Sequence, residues 1–157
     1  MNIKKFVSST IAMGLLTLTV GASASDTVFH GSLCNPEFPA DVSKLEYGQF
    51  GIDNSSGSTA FLSCGANTPI LATINTVSII TYDRNPSTNV SCTLVLTDIF
   101  GNALFSQTQS TTGSGAGFMQ LLYNPGVGTH TVNIDCSLPP NSGGNVSHVT
   151  TYRIITP

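Results

Sequence analysis

The sequence predicts an all-β chain, an antiparallel two-sheet sandwich, immunoglobulin-like or jelly-roll-like, of about nine strands with two disulfides. Three observations predict it. Runs rich in β-branched and apolar residues alternate with Gly, Pro, Asn, Asp and Ser clusters at roughly 8–12-residue spacing, the rhythm of a sandwich or barrel. No stretch sustains the 3.6-residue apolar period of a helix. Cysteine occurs four times, as Cys34, Cys64, Cys92 and Cys136, with no C-x-x-C spacing that would suggest a zinc or redox site.

The first 24 residues read as a leader rather than as fold. Lys4 and Lys5 precede an apolar run from Phe6 to Val20, and Ala22-Ser23-Ala24 supplies the small side chains that signal peptidase accepts. A membrane anchor needs about 20 apolar residues, and this run is shorter and carries Ser and Thr hydroxyls. The expectation is a cleavable signal peptide over 1–24, a single β-sandwich domain over 25–157, and export to the periplasm or medium. Export agrees with an even cysteine count, since disulfides persist in oxidising compartments.

The clearest strands are 90–96, where Val90, Cys92, Leu94 and Leu96 share one face, and 131–138, where Val132, Ile134, Cys136 and Leu138 do. Such period-two alternation buries one face and wets the other. Weaker strands are predicted over 28–33, 47–52, 60–64, 75–82, 103–108, 117–123 and 148–155. The breakers between them include Asp53-Asn54-Ser55-Ser56-Gly57, Asp83-Arg84-Asn85-Pro86, Gly113-Ser114-Gly115, Asn124-Pro125-Gly126 and the run from Pro139 to Gly144. Only 40–45 suits a helical turn, capped by Asp41 or Ser43. Cys92 and Cys136 both take the apolar phase, which favours a Cys92–Cys136 bridge between sheets or neighbouring strands and leaves Cys34–Cys64 to tie down the N-terminal segment. No Trp packs on such a bridge as in a true immunoglobulin domain.

Without the leader, the three cations Lys44, Arg84 and Arg153 face eight acids, a net charge of −5. That argues against nucleic acid and anionic membranes as partners, because both need a basic face. No G-x-S-x-G elbow is present; Gly113-Ser114-Gly115-Ala116-Gly117 comes nearest and reads as a hairpin loop. The histidines, His30, His130 and His148, have no metal-ligand spacing. If 131–138 and 148–155 form a hairpin, His130 falls opposite Ile154 and His148 opposite Cys136. Calcium is the one cofactor worth weighing, at the oxygen-rich turns of Asp53, Asp83 and Asn85, although Asx-turns account for the same residues. Most aromatics, Tyr47, Phe50, Tyr82, Phe105, Phe118, Tyr123 and Tyr152 among them, fit core phases. Phe100 does not; it sits in the 98–102 turn, where a ring can meet a partner. Three sequons begin at Asn54, Asn89 and Asn145, the first and last placed in loops.

The stretch Tyr82-Asp83-Arg84-Asn85-Pro86, then Cys92-Thr93-Leu94, then Cys136 to Tyr152 with Pro139-Pro140 between, resembles a loose set of short exported bacterial proteins. Tyr47-Gly48-Gln49-Phe50-Gly51-Ile52 and Cys64 fit the same order. The resemblance implies export and one β-domain, and it assigns no activity and no catalytic residue. The expected function is therefore a non-enzymatic exported sandwich that binds a protein or glycan as a surface or accessory protein. An assembling, pilin-like subunit and a small secreted hydrolase are the alternatives.

Overall fold

The computed structural model describes residues 25–70, 74–122 and 130–156. The expected signal peptide and Tyr123 lie outside the described residues. Among the described residues eleven strands form two antiparallel sheets: β1 Ser25–His30, β2 Asn35–Pro36, β3 Leu45–Gly48, β4 Gly51–Asn54, β5 Ala60–Ile70, β6 Thr76–Asp83, β7 Ser91–Thr97, β8 Ala103–Ser110, β9 Gly115–Leu122, β10 His130–Leu138 and β11 His148–Thr156. Sheet A runs β3-β4-β11-β6-β9, with β1 also paired to β11; sheet B runs β2-β5-β10-β7-β8. Among the described residues no helix is long and apolar enough to cross a membrane.

The inner faces supply one core. Leu62, Cys64, Leu94, Leu96, Ile134 and Leu138 of sheet B pack with Ile52, Val77, Ile79, Leu121, Val149 and Tyr152 of sheet A. Both bridges lie within sheet B. Cys92 and Cys136 are direct neighbours on β7 and β10, and Cys34, just before β2, is bonded to Cys64 of β5. The sheets are thus held together by apolar burial, not by a covalent link across the sandwich.

The structure corrects several local expectations. The 47–52 run is not one strand but the turn of a β3–β4 hairpin, with Gly48 opposite Gly51. Gly51 takes φ +128, and a Cβ there would sit 1.9 Å from the Val149 carbonyl oxygen, so only glycine lets this corner press against β11. The helical turn falls earlier, as a 3₁₀ turn over Pro39–Asp41, with Phe38 at its N-cap and no side-chain cap. Asp41 instead sits buried inside it and accepts a 2.7 Å hydrogen bond from Lys44 Nζ. The segment after β1 also breaks early into a 3₁₀ turn, Gly31–Leu33, whose Ser32 amide donates to the His30 ring.

The largest correction concerns the last two strands. They do not form a hairpin, because β10 belongs to sheet B and β11 to sheet A. His130 pairs with Ile70, and His148 pairs with Asp53 on one side and Tyr82 on the other. The connection is pinned as it crosses the sandwich. Asn54 Nδ2 donates to the carbonyls of Leu138 and Pro139, and Asn85 Nδ2 to that of Pro140. Asn54 is consequently fully buried, so its sequon is not a loop acceptor.

Candidate functional site

Because neighbouring strands stack their outward residues in rows, the register places Glu46, Asp53, His148, Tyr82 and Ala116 side by side across the outer face of sheet A. The next row includes Thr151, Ile80 and Phe118. Ile80 and Tyr82 are part-exposed, and Phe118 on the edge strand is 62% exposed. The expectation that Tyr47, Phe50, Tyr82 and Phe118 belong to the core is therefore corrected: all four face solvent, while Tyr152 is buried and Phe105 packs partly against the core.

Tyr82 organises the row. Its ring stacks on His148 with centroids 5.5 Å apart and planes 14° off parallel, and the Arg84 guanidinium carbon lies 4.9 Å from its centroid. His148 Nδ1 stands 3.6 Å from Asp53 Oδ1, a buried oxygen with no hydrogen-bond partner. Burial pushes the Asp53 carboxyl upward, Glu46 adds to this, and His148 and Arg84 oppose it. Burial holds His148 below its ordinary range, with Asp53 working against the shift and Arg84 with it. Perturbed, mutually facing groups in a recess are a mark of functional sites. The row opens into a shallow groove of about 520 Å³ lined by Tyr82, Asp83, Arg84, Ser114, Gly115 and Asn145. The 113–115 loop thus forms one groove wall.

The groove presents the Tyr82 ring, the Arg84 guanidinium and the Asn145 amide, while the Asp83 carboxylate beneath them is buried. The histidine-bound serine hydroxyl among the described residues is that of Ser32, 2.8 Å from His30 Nδ1. That nitrogen also accepts from the Ser32 amide, so the pair caps an exposed turn. His148 has Asp53 and Tyr82 around it rather than a nucleophile.

The three calcium candidates do not converge. Asp83 is fully buried and accepts from the Asn85 and Val90 amides and from the hydroxyls of Thr111 and Ser147. Asn85 Oδ1 accepts from the Ser87 and Thr88 amides, while Asp53 faces His148. The Asp83 oxygens and Asn85 Oδ1 are thus taken up by the turns they close, whereas Asp53 Oδ1 has no hydrogen-bond partner. Among the described residues no group of three or more His, Cys, Asp or Glu side chains is placed to hold a metal ion. Phe100 is 82% exposed; its turn is fixed by Asp98, which accepts from the Phe100 and Asn102 amides. It stands apart from the sheet A row, on the β7–β8 connection. The row itself escaped the sequence reading, because β6 carries apolar residues on both phases and Asp53, His148 and Tyr82 come from three distant strands.

No family model matches the sequence, and no curated protein matches it. Among solved structures the chain is similar to a family two carbohydrate esterase from Cellvibrio japonicus, with a TM-score of 0.52 at 11% identity. The match takes in 86% of this chain and 35% of the esterase, so the chain spans about a third of that protein. It is also similar to CBM86, a low affinity xylan binding module from Roseburia intestinalis, with a TM-score of 0.51 at 13% identity, over 83% of this chain and 94% of the module. These likenesses establish a shared sandwich fold.

Proposed function

We propose that the chain is an exported, non-enzymatic sandwich module that binds glycan across the outer face of sheet A, with residues 1–24 as its cleaved leader. The observation that carries this reading is the row Asp53-His148-Tyr82 with Arg84 stacked on it and Ile80 and Phe118 exposed alongside. Sugar rings offer CH faces to an aromatic side chain and hydroxyls to Arg84 and Asp53, which makes such a surface suited to them. The fold shared with a xylan binding module supports the reading.

Native electrophoresis of the mature protein through gels containing xylan, galactan, mannan or β-glucan tests it. We expect retardation by at least one neutral polymer, unaccompanied by shortening of the polymer. Tyr82→Ala or Phe118→Ala should weaken it about threefold to tenfold, the worth of one ring contact. Migration unchanged in every gel would remove the reading, and depolymerisation would restore the hydrolase alternative.

A further inference from the structure

The two sheets share one core, so their outer faces point in opposite directions, and sheet B carries a groove of its own. The Glu37 amide donates to the Phe61 carbonyl at 3.0 Å, which lays Glu37 and Phe38 along β5. Phe38 and Phe61 meet edge to face, 5.8 Å between centroids and 78° between planes, and both rings remain exposed. Opposite Phe61 the register sets Ser137 and then Ser91; one step along, it sets Asp135 and then Thr93. Together they bound a groove of about 380 Å³.

Its lining holds two aromatic rings, three hydroxyls and two carboxylates, and no Lys, Arg or His. Of the cations beyond the leader, Lys44 is paired with Asp41, Arg153 with Asp26, and Arg84 lies on sheet A. Burial and the neighbouring carboxylates of Asp135 and Asp41 all push the Glu37 carboxyl upward, so the groove is a negative recess.

We propose that this groove is a second saccharide-binding site, one that takes uncharged sugar rings and refuses uronates. The carboxylates accept sugar hydroxyls and the phenyl rings meet CH faces. A carboxylated ring would bring a third negative charge into the recess with no cation to meet it. The inference rests on the glycan reading of the chain but not on the sheet A face. Its consequence is bivalence: one domain holds two polymer chains on opposite sides.

The test uses mature protein, with each polymer of the gel panel run native and after carboxymethylation. Three variants are compared with wild type: Tyr82→Ala/Phe118→Ala on sheet A, Phe61→Ala on sheet B, and Glu37→Gln, which keeps size at an exposed position. We expect the sheet A double variant to keep residual retardation by the native polymer, and carboxymethylation to weaken that residual at least tenfold. Glu37→Gln in the double-variant background should recover part of the binding to carboxymethylated polymer, and Phe61→Ala should abolish the residual. Loss of all binding in the sheet A double variant would overturn the inference while leaving the sheet A reading standing. Equal retention by native and carboxymethylated polymer would overturn the selectivity. Binding that depends on Phe61 alone would keep the groove as a saccharide site but overturn the bivalence and the sheet A reading. Wild type that ignores every polymer removes both.

Discussion

At the scale of single residues, Asp83 shows how a polar side chain can serve a β-fold better than an apolar one. It is fully buried at the end of β6, where it gathers two backbone amides and two hydroxyls from the 85–90 turn, Thr111 and Ser147. Asp83→Ala strands four donors in the interior, and each unmade bond costs about 1–3 kcal/mol before relaxation. We expect a loss of at least about 3 kcal/mol in urea unfolding; a change inside the ordinary surface range of about 0.5 kcal/mol would show that water replaces the carboxylate. His148 gives a second prediction, with a sign. In the unfolded chain it titrates near 6.5, and burial holds it lower in the fold. The unfolded chain therefore binds more protons over that interval, so the His148 contribution to stability is present above 6.5 and is lost as pH falls through it. Asp53, shifted upward, acts oppositely and lower: between 3.8 and its folded value the fold holds the extra proton, so stability from this group fades as pH rises. The melting temperature of His148→Gln should accordingly drop less than that of wild type between neutral and mildly acid pH. Parallel curves would mean that His148 is hydrated in the fold. Tyr82 was not legible in the same way. Alternation fixes a face only where polar and apolar residues take turns, and Val77, Ile79, Ile80 and Tyr82 leave both phases of β6 apolar.

Elements with clean alternation were legible and the connections between them were not. Strands β7 and β10 fall where period-two patterning predicts, with burial alternating strictly along β7. The same patterning cannot say which sheet receives a strand, so the crossing between β10 and β11 was invisible: what routes it is the long-range hold of Asn54 and Asn85 on the carbonyls of 138–140. Two strands beyond the expected nine come from pairings too short for a pattern, β2 with two residues and the split of 45–54 into a hairpin. That hairpin invites a test. Gly51→Ala places a Cβ against the Val149 carbonyl at a φ that side chains rarely adopt, which should cost at least about 2 kcal/mol. Since β4 positions Asp53 beside His148, glycan retardation on the sheet A face should fall with it. Full stability and full binding together would show that the corner gives way freely.

For the whole molecule, the decisive asymmetry is that both disulfides lie in sheet B, spanning 30 and 44 residues of sequence, while sheet A has none among the described residues. By chain entropy each bridge stabilises against global unfolding by roughly 3–4 kcal/mol. Neither restrains an opening confined to β3, β4 and β9, whose ends are free of crosslinks. Sheet A contributes the exposed row and the one-sided strands β1, β3 and β9, and sheet B contributes the locked floor. Native-state hydrogen exchange should therefore show amides of β9 and β3 opening at lower free energy than those of β5, β7 and β10. Reduction of the bridges should lower the sheet B values toward those of sheet A while leaving the sheet A openings nearly unchanged, because the crosslinks act on the unfolded chain rather than on local fraying. Uniform protection across both sheets in the oxidised protein would contradict this, and would mean that the shared core makes the sandwich one cooperative unit. A graded pattern instead would show that the face carrying the Tyr82 row can adjust locally while the bridges hold the opposite sheet.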